Sequence, residues 1–388
     1  MKPESPLTAA PIAQVDRPVI FVDGRRLTAQ ATGVGRYLSL LLDRWAESVD
    51  RLPFEPVVIL HEDRPGHLDP WKRVFTHEVV GSHAPGWVWE NFYLAAREHR
   101  DSLLFAPANL VPRRWRGPVV LVVHDTFCEH ADAQIPWKAR LRFRQRYRRS
   151  ACRANLILTP SEATADDVQH HFGIPAERIR VIRPGLRRRL PADLTPDQIK
   201  EYAHLADSPF VLFVGKTSAR RDFPAVAEAV EHISLGGRDL RLIRVGPPMA
   251  EPVRSETLID LGHVPDSVLG WLYGHARALV WPSAREGFGL PVLEAMAHGC
   301  PVITRPVNAL AELCEGACLG LAESTPGSVA AAILSIVDDG DLRTNLVRQG
   351  LERAKAFDGQ AFADEVAGAI ASLLPLTRRA TSGAGRPA

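Results

Sequence analysis

Two glutamates eight residues apart, Glu286 and Glu294, frame the segment Arg285-Glu286-Gly287-Phe288-Gly289-Leu290-Pro291-Val292-Leu293-Glu294. Gly287 and Gly289 let backbone N–H groups approach a ligand with no Cβ in the way. Pro291 marks a helix start, and the positive end of a helix is a ready site for an anion. Glu294 falls one turn into that helix, where it could accept hydrogen bonds from a diol such as ribose. Glu286 stays in the loop. Two solvated acids at a strand–turn–helix junction are the bland alternative, and the glycine loop between them argues against it.

Other groups with chemical potential also follow apolar runs. Lys216, Arg220 and Arg221 come just after FVLFVG (210–215), and His124-Asp125 end the β-branched run VVLVVHD (119–125). Residues 137–153 carry eight cations and no acid, with Arg140, Arg144 and Arg148 at i, i+4 spacing. That run suits anionic lipid or a pyrophosphate-linked ligand, or equally a solvated face whose Arg stems cover the core. Arg187-Arg188-Arg189 divides the same way. Nucleic acid is the weaker reading, because no aromatic stacking motif accompanies the charge. Asp339-Gly340-Asp341 is a literal Asp-x-Asp, but it separates two helical patterns, where turn and N-cap chemistry is ordinary. No His/Cys cluster has metal-ligand spacing, so no metal is expected. Gly33-Val34-Gly35-Arg36-Tyr37-Leu38 is not the GxGxxG of a dinucleotide site.

These residues must be positioned by alternating elements. Strand patterns fall at 19–23, 57–60, 103–106, 119–125, 155–161 and 178–185, with helix patterns at 33–47, around 87–99 and at 136–152; Ser161 is placed to cap the next helix. A polar, Pro-punctuated connector follows at 187–200. The pattern then restarts, with strands at 210–215, 240–246, 258–262, 278–283 and 301–304 and helices at 222–235, 266–275 and 291–298. Helices at 325–337, 341–355 and 360–374 finish the chain. Strand–helix alternation predicts an α/β chain of two Rossmann-like, doubly wound parallel sheets. The expected boundaries are 17–190, 207–355, a helix at 356–375 that could return to the first domain, and a disordered tail at 376–388. Ligands of such sheets bind beyond the carboxyl ends of the strands, so two sheets facing each other enclose a cleft.

At 388 residues and 46% hydrophobic, the chain has material for two cores. The net charge of +2 hides a split: residues 1–190 hold 29 basic and 21 acidic residues, residues 191–388 hold 18 and 24. Five scattered cysteines without CxxC disfavour a disulfide framework and suit a reducing cytoplasm. The leader MKPESPLTAAPIAQVD lacks the apolar core of a signal peptide.

The Glu286–Glu294 segment resembles the EX7E motif of retaining glycosyltransferases of family 4, which have the GT-B fold. Gly33-Val34-Gly35-Arg36-Tyr37, Trp89-Glu90, Pro107-Ala108-Asn109 and His124-Asp125 resemble further signatures of that family, in its order. So do Gly215 with Arg220-Arg221-Asp222, where the family usually has Lys-Asn at the last two positions, and Asn308 to Glu312. The resemblance covers roughly 19–375. It implies a donor site of Gly33, Gly35, Gly215, Lys216, Arg220, Arg221, Gly287, Phe288, Gly289, Leu290 and Glu294 in a nucleotide-sugar domain. It puts His124 and Glu286 at the reacting sugar, with Asn109, Asp125, Arg140 and Arg144 on the acceptor side. Lys216, Arg220 and Arg221 would meet a departing diphosphate. The function implied is metal-independent, retaining transfer of a hexose to a glycan or lipid-linked acceptor. Mannose from GDP-mannose is favoured, in O-antigen-type polysaccharide synthesis, in the cytoplasm or at the inner face of the membrane. Its rivals are an epimerase or phosphorylase on the same fold, or a non-catalytic sugar-nucleotide-binding protein.

Overall fold

The computed structural model describes residues 17–374 apart from 29–32, 63–69, 82, 99–101, 131–135, 187–189, 191–192, 250–252 and 254. The expected tail at 376–388 and Arg187–Arg189 lie outside the described residues.

The first sheet contains β1 (Val19–Asp23), β2 (Glu55–Leu60), β3 (Thr76–Val79), β4 (Leu103–Ala106), β5 (Val119–Val122), β6 (Leu156–Thr159) and β7 (Ile179–Val181). All pairs are parallel, in the order β3-β2-β1-β4-β5-β6-β7. The period-two alternation of side chains splits the core into two layers. Ile20, Val22, Leu103 and Phe105 face α1 (Gly33–Glu47), whereas Phe21, Leu104 and Leu121 face residues of α3 (Trp137–Arg153) and α4 (Glu162–Phe172). Ser161 caps α4, its side chain accepting from Thr164 N–H. The helix expected around 87–99 is instead one α-turn, α2 (Gly86–Val88), followed by a π-helical stretch over Trp89–Leu94 and a 3-10 turn. Strand β3 reads THEV, and its exposed sheet-edge position explains why no apolar run announced it.

The second sheet is also all parallel, in the order β10-β9-β8-β11-β12-β13. Its strands are β8 (Phe210–Val214), β9 (Arg241–Val245), β10 (Leu258–Asp260), β11 (Leu279–Trp281), β12 (Val302–Thr304) and β13 (Leu319–Gly320). Its helices are α6 (Phe223–Leu235), α7 (Asp266–His275), α8 (Leu290–Ala297), α9 (Ala309–Cys314), α10 (Pro326–Asp338) and α11 (Gly340–Ala354). The connector holds a helix the polar pattern had concealed, α5 (Pro196–Tyr202), started by Thr195 in a capping box with Gln198. Asp339 caps α11 by accepting from Leu342 N–H, the N-cap chemistry expected of that turn. One disulfide, Cys314–Cys318, closes the turn after α9, where scattered cysteines had suggested none.

The last helix, α12 (Gly359–Ala371), leaves the second sheet and packs on the first. Phe362, Ala363, Val366 and Ile370 lie in the same core layer as Leu41 and Trp45, and Trp45 Nε1 donates to Ala363 O at 3.0 Å. Where the chain crosses, Gly185 and Gly359 pass so closely that a Cβ on either would meet backbone at 2.5 and 2.4 Å. The chain ends therefore clasp the first sheet from the second. Phe362→Ala should cost about 3–5 kcal/mol in urea unfolding of the first half, whereas Leu235→Ala, on a side chain 80% exposed, should change nothing. Equal small effects would refute the clasp.

Candidate active site

The residues with chemical potential converge because each follows the carboxyl end of a parallel strand. Asn109 follows β4, His124 follows β5, Lys216 follows β8 and Glu286 follows β11. In each sheet the strand order reverses between neighbours, at β1/β4 and at β8/β11, the point where such sheets bind ligands.

Glu286 is buried and clamped by two arginines from the turn after β8. Arg221 Nε donates to Oε1 at 2.8 Å, and Arg220 Nη2 lies 3.2 Å from Oε2. Ser283 Oγ donates a third hydrogen bond at 3.0 Å. Burial opposes ionisation of this carboxyl, but Arg221 and Arg220 outweigh it and hold its pKa below the ordinary value. The Arg221 guanidinium also stacks on Trp281, 4.3 Å from the ring centroid. The cations assigned to a diphosphate and the carboxylate assigned to a hexose are thus one network. Lys216 is exposed. Gly215 has φ 118° with Arg221 and Trp281 beside it, so a side chain there would be both strained and crowded. Asp222, where the resemblance expects Asn, has φ 45°, a left-handed conformation that Asn and Asp both tolerate. Its role is in the backbone turn that presents Arg221.

The loop carrying Glu286 lies directly on the first sheet's His124-Asp125 turn. A Cβ on Gly287 would sit 1.7 Å from His124 O. Gly287 O accepts from Ser161 Oγ at 2.8 Å, and Thr164 Oγ1 contributes a longer bond at 3.3 Å. Phe288 is buried edge-on to Phe357, and Gly289, at φ 106°, begins α8, whose first residue is Leu290. His124 Nε2 is 2.7 Å from Pro107 O, and Tyr37 packs edge-on against the ring. Burial, reinforced by Arg26, lowers the His124 pKa to about 4 despite the bond to Pro107. The ring is therefore neutral near pH 7. Its Nε2–H is given to Pro107, which leaves Nδ1 as an acceptor. Burial raises the Asp125 pKa, with Arg220 opposing and Glu286 adding to the rise, because these groups of the second sheet face it across the seam.

Several expected site residues turn inward. Asn109, expected on the acceptor side, is buried with φ 61°, and its Oδ1 accepts from His124 N–H at 2.8 Å. It positions His124 rather than facing an acceptor. Arg140 donates to Cys128 O and Glu129 O, and Arg144 pairs with Glu129 at 2.6 Å, so both brace the turn after His124. Gly33 and Gly35, expected at the donor, lie in the first turn of α1.

Three pairings were not foreseen, although Arg36, Glu294 and Glu312 lie in segments the sequence singled out. Arg36 donates to Glu294 and pairs with Asp266 at 2.7 Å, while Tyr273 OH donates to Glu294 at 3.2 Å. Burial is offset by Glu294 first and Asp266 second, which raise the Arg36 pKa. Glu312 reaches from α9 to the start of α4, accepting from Ala163 N–H at 2.8 Å and Glu162 N–H at 3.1 Å. His130, Asp167 and His171 also come together, contrary to the expectation that no cluster has ligand spacing.

Comparison with known proteins places this geometry. Residues 31–188 match the model described as Glycosyltransferase Family 4, and residues 208–339 match Glycosyl transferases group 1. The chain is 29% identical over 279 residues to O-antigen chain mannosyltransferase B of Escherichia coli, covering 68% of this chain and 72% of that protein. It spans 60% and 56% of the next two curated relatives it matches. Sucrose-phosphate synthase from Thermosynechococcus elongatus superposes with a TM-score of 0.71 at 19% identity, over 93% of this chain and 100% of that one. Anabaena HepE, solved in complex with UDP and glucose, gives 0.67 at 19% identity over 92% and 100%. With both halves matched and the two-sheet architecture shared, the chain belongs to the group 1, family 4 glycosyltransferases of GT-B fold.

Proposed function

We propose that this glycosyltransferase moves a hexose, with mannose from GDP-mannose favoured, to a glycan or lipid-linked acceptor with retention of configuration. The observation that carries the proposal is the Arg220–Arg221–Glu286 network held against the His124-Asp125 turn of the opposite sheet. The similarity to an O-antigen mannosyltransferase supports the choice of sugar. HepE was solved with UDP and glucose, so the base and hexose are the first things to test.

In this reading the diphosphate lies at the start of α8, between Lys216 and the two arginines, with the ribose at Glu294. Charge that develops on the leaving phosphate is then met by cations already in place. Glu286, kept ionised by Arg221 and Arg220, accepts from hexose hydroxyls. Neutral His124 offers Nδ1 to another hydroxyl. No residue here is assigned as a strong base. The departing phosphate oxygen takes the proton of the acceptor hydroxyl on the same face, which returns the original anomeric configuration. No step is assigned to a metal.

A thermal-shift panel of nucleotides and nucleotide sugars should show stabilisation by one base, since bound ligand favours the folded state by mass action. Response to none would defeat the proposal. Glu286→Gln should lower kcat about 10²–10³-fold, the size of effect seen when one transition-state contact is lost, with donor KM changed much less. Unchanged transfer at saturating donor would remove Glu286 from the reaction. Gly287→Ala should leave each half folded but force the loop off His124. A misplacement of that kind costs about 10²-fold in rate, and steady-state kinetics beside a melting curve would separate the two effects.

Because His124 titrates at about 4, it should contribute no acid limb to the pH–rate profile near its ordinary value of about 6.5. Its contribution to stability has the opposite visibility. The unfolded chain takes up this proton at about pH 6.5 and the folded one only at about 4, so stability should fall as pH drops through that window. His124→Gln should flatten this part of the urea-midpoint curve, and an unchanged slope would contradict the assignment.

A further inference from the structure

His130, Asp167 and His171 stand apart from the donor network, on the first sheet's side of the seam. Asp167 and His171 are one turn apart on α4 and so share a helix face. His130 reaches them from the end of the 3-10 turn Phe127–Glu129 that follows His124-Asp125. His130 Nε2 is 3.1 Å from Asp167 Oδ2, His171 Nε2 is 3.9 Å from Asp167 Oδ1, and all three ligand atoms lie within 4.8 Å of one another. We propose that these three residues form a binding site for a divalent transition-metal ion of the zinc class, separate from the nucleotide-sugar site.

The spacing and the donor set both support this. Zinc–nitrogen and zinc–oxygen bonds of about 2.0–2.2 Å in a tetrahedron put ligand atoms about 3.3–3.6 Å apart. At 3.1 Å the His130–Asp167 pair is slightly closer than that, a hydrogen-bond distance that a bound ion would spread, and the His171–Asp167 pair, at 3.9 Å, would close slightly. Two imidazoles and one carboxylate select a first-row transition ion over Mg²⁺ or Ca²⁺, which require oxygen cages. The carboxylate is held from outside the cluster: Thr126 Oγ1 donates to Asp167 Oδ2 at 2.6 Å. Such outer bonds orient ligands and tune metal affinity. All three residues are half-buried, so solvent reaches the cluster.

The neighbouring charges give the site a consequence. Arg285, the residue before Glu286, approaches Asp167 Oδ2 from the other sheet at 3.7 Å. An ion on Asp167 would compete with Arg285 for the same oxygen, and so bear on how the Glu286 loop is held. Glu129 faces the cluster as well but is engaged by Arg144 at 2.6 Å, and His170 is exposed on the next turn position.

The test uses the full chain, stripped with a chelator and titrated with Zn²⁺ against a chromophoric competitor. One equivalent should bind with a Kd of micromolar or tighter. His171→Ala and Asp167→Asn should each weaken it at least about 10-fold, the least that loss even of a ligand's outer partner costs, while His170→Ala should not. Co²⁺ in place of Zn²⁺ should give the intense visible bands of a four-coordinate ion, lost in His130→Ala. Should that variant fail to fold, X-ray absorption of the zinc-loaded wild type should count two imidazole ligands. Absence of saturable binding, equal affinity in His171→Ala, or fewer than two imidazoles would overturn the proposal. None of these readouts depends on transferase activity.

Discussion

Most of the site depends on one steric constraint: the loop after β11 lies in van der Waals contact with the carbonyl of His124, and only glycine at 287 permits it. Around that point the two sheets are stitched by Ser161 to Gly287 O and by Glu312 at the start of α4. The parts that touch are backbone, short side chains and helix ends, whose positions vary little. Glu286 therefore meets the His124-Asp125 turn in one geometry, and Arg220 and Arg221 are placed relative to both. Tyr37 packs edge-on against both His124 and Phe362, so the same region leads into α12, which ties the two halves by inserting into the first core.

The electrostatics follow from that apposition. Residues 191–388 carry more acid than base, yet the segment that would meet an anion is cationic. Glu286 resolves the conflict locally: two arginines held close together would repel, and one buried carboxylate between them removes the penalty while remaining ionised. The basic helix of the first half is similarly less free than its composition suggests. Arg140, Arg144, Arg146 and Arg153 are spent on the turn after His124, on Glu90 and on the carbonyls of Trp115 and Gly117. Exposed positions such as Arg142 and Arg148, with Trp137 at 71% exposure, are what that face offers to a partner. No described helix is long and apolar enough to cross a membrane.

Most strands and helices were legible because apolar runs such as VVLVV and FVLFV have no soluble alternative to a buried parallel strand. The misses share a physical cause. Strand β3 is stabilised by one neighbour and needs few apolar residues, and α5 is stabilised by its cap more than by an apolar face. Within the site, residue types were legible but their duties were not. Asn109, Asp222 and Asn308 all have left-handed φ, so an amide or acid that looks like a ligand in a motif is serving the backbone. The cluster of His130, Asp167 and His171 joins residues 37 apart and four apart. Only the half-turn after His124 and the pitch of α4 bring them together, and no spacing rule encodes that.

Arg36 shows how a closed seam can still admit a ligand. In this structure Glu294, the carboxylate a ribose would use, is taken by Arg36 and Tyr273. The pair a donor would have to break is Arg36–Glu294, in which Glu294 is only 13% exposed. In the reading proposed above, two ribose hydroxyls would replace the bonds from Arg36 and Tyr273 one for one, while Arg36 keeps Asp266, which is 43% exposed. Because Arg36 sits in the first turn of α1, the exchange would change a contact between the two halves at the moment the donor arrives. In the reading proposed above, occupancy of the donor site and the fit of the seam would be linked through this one side chain.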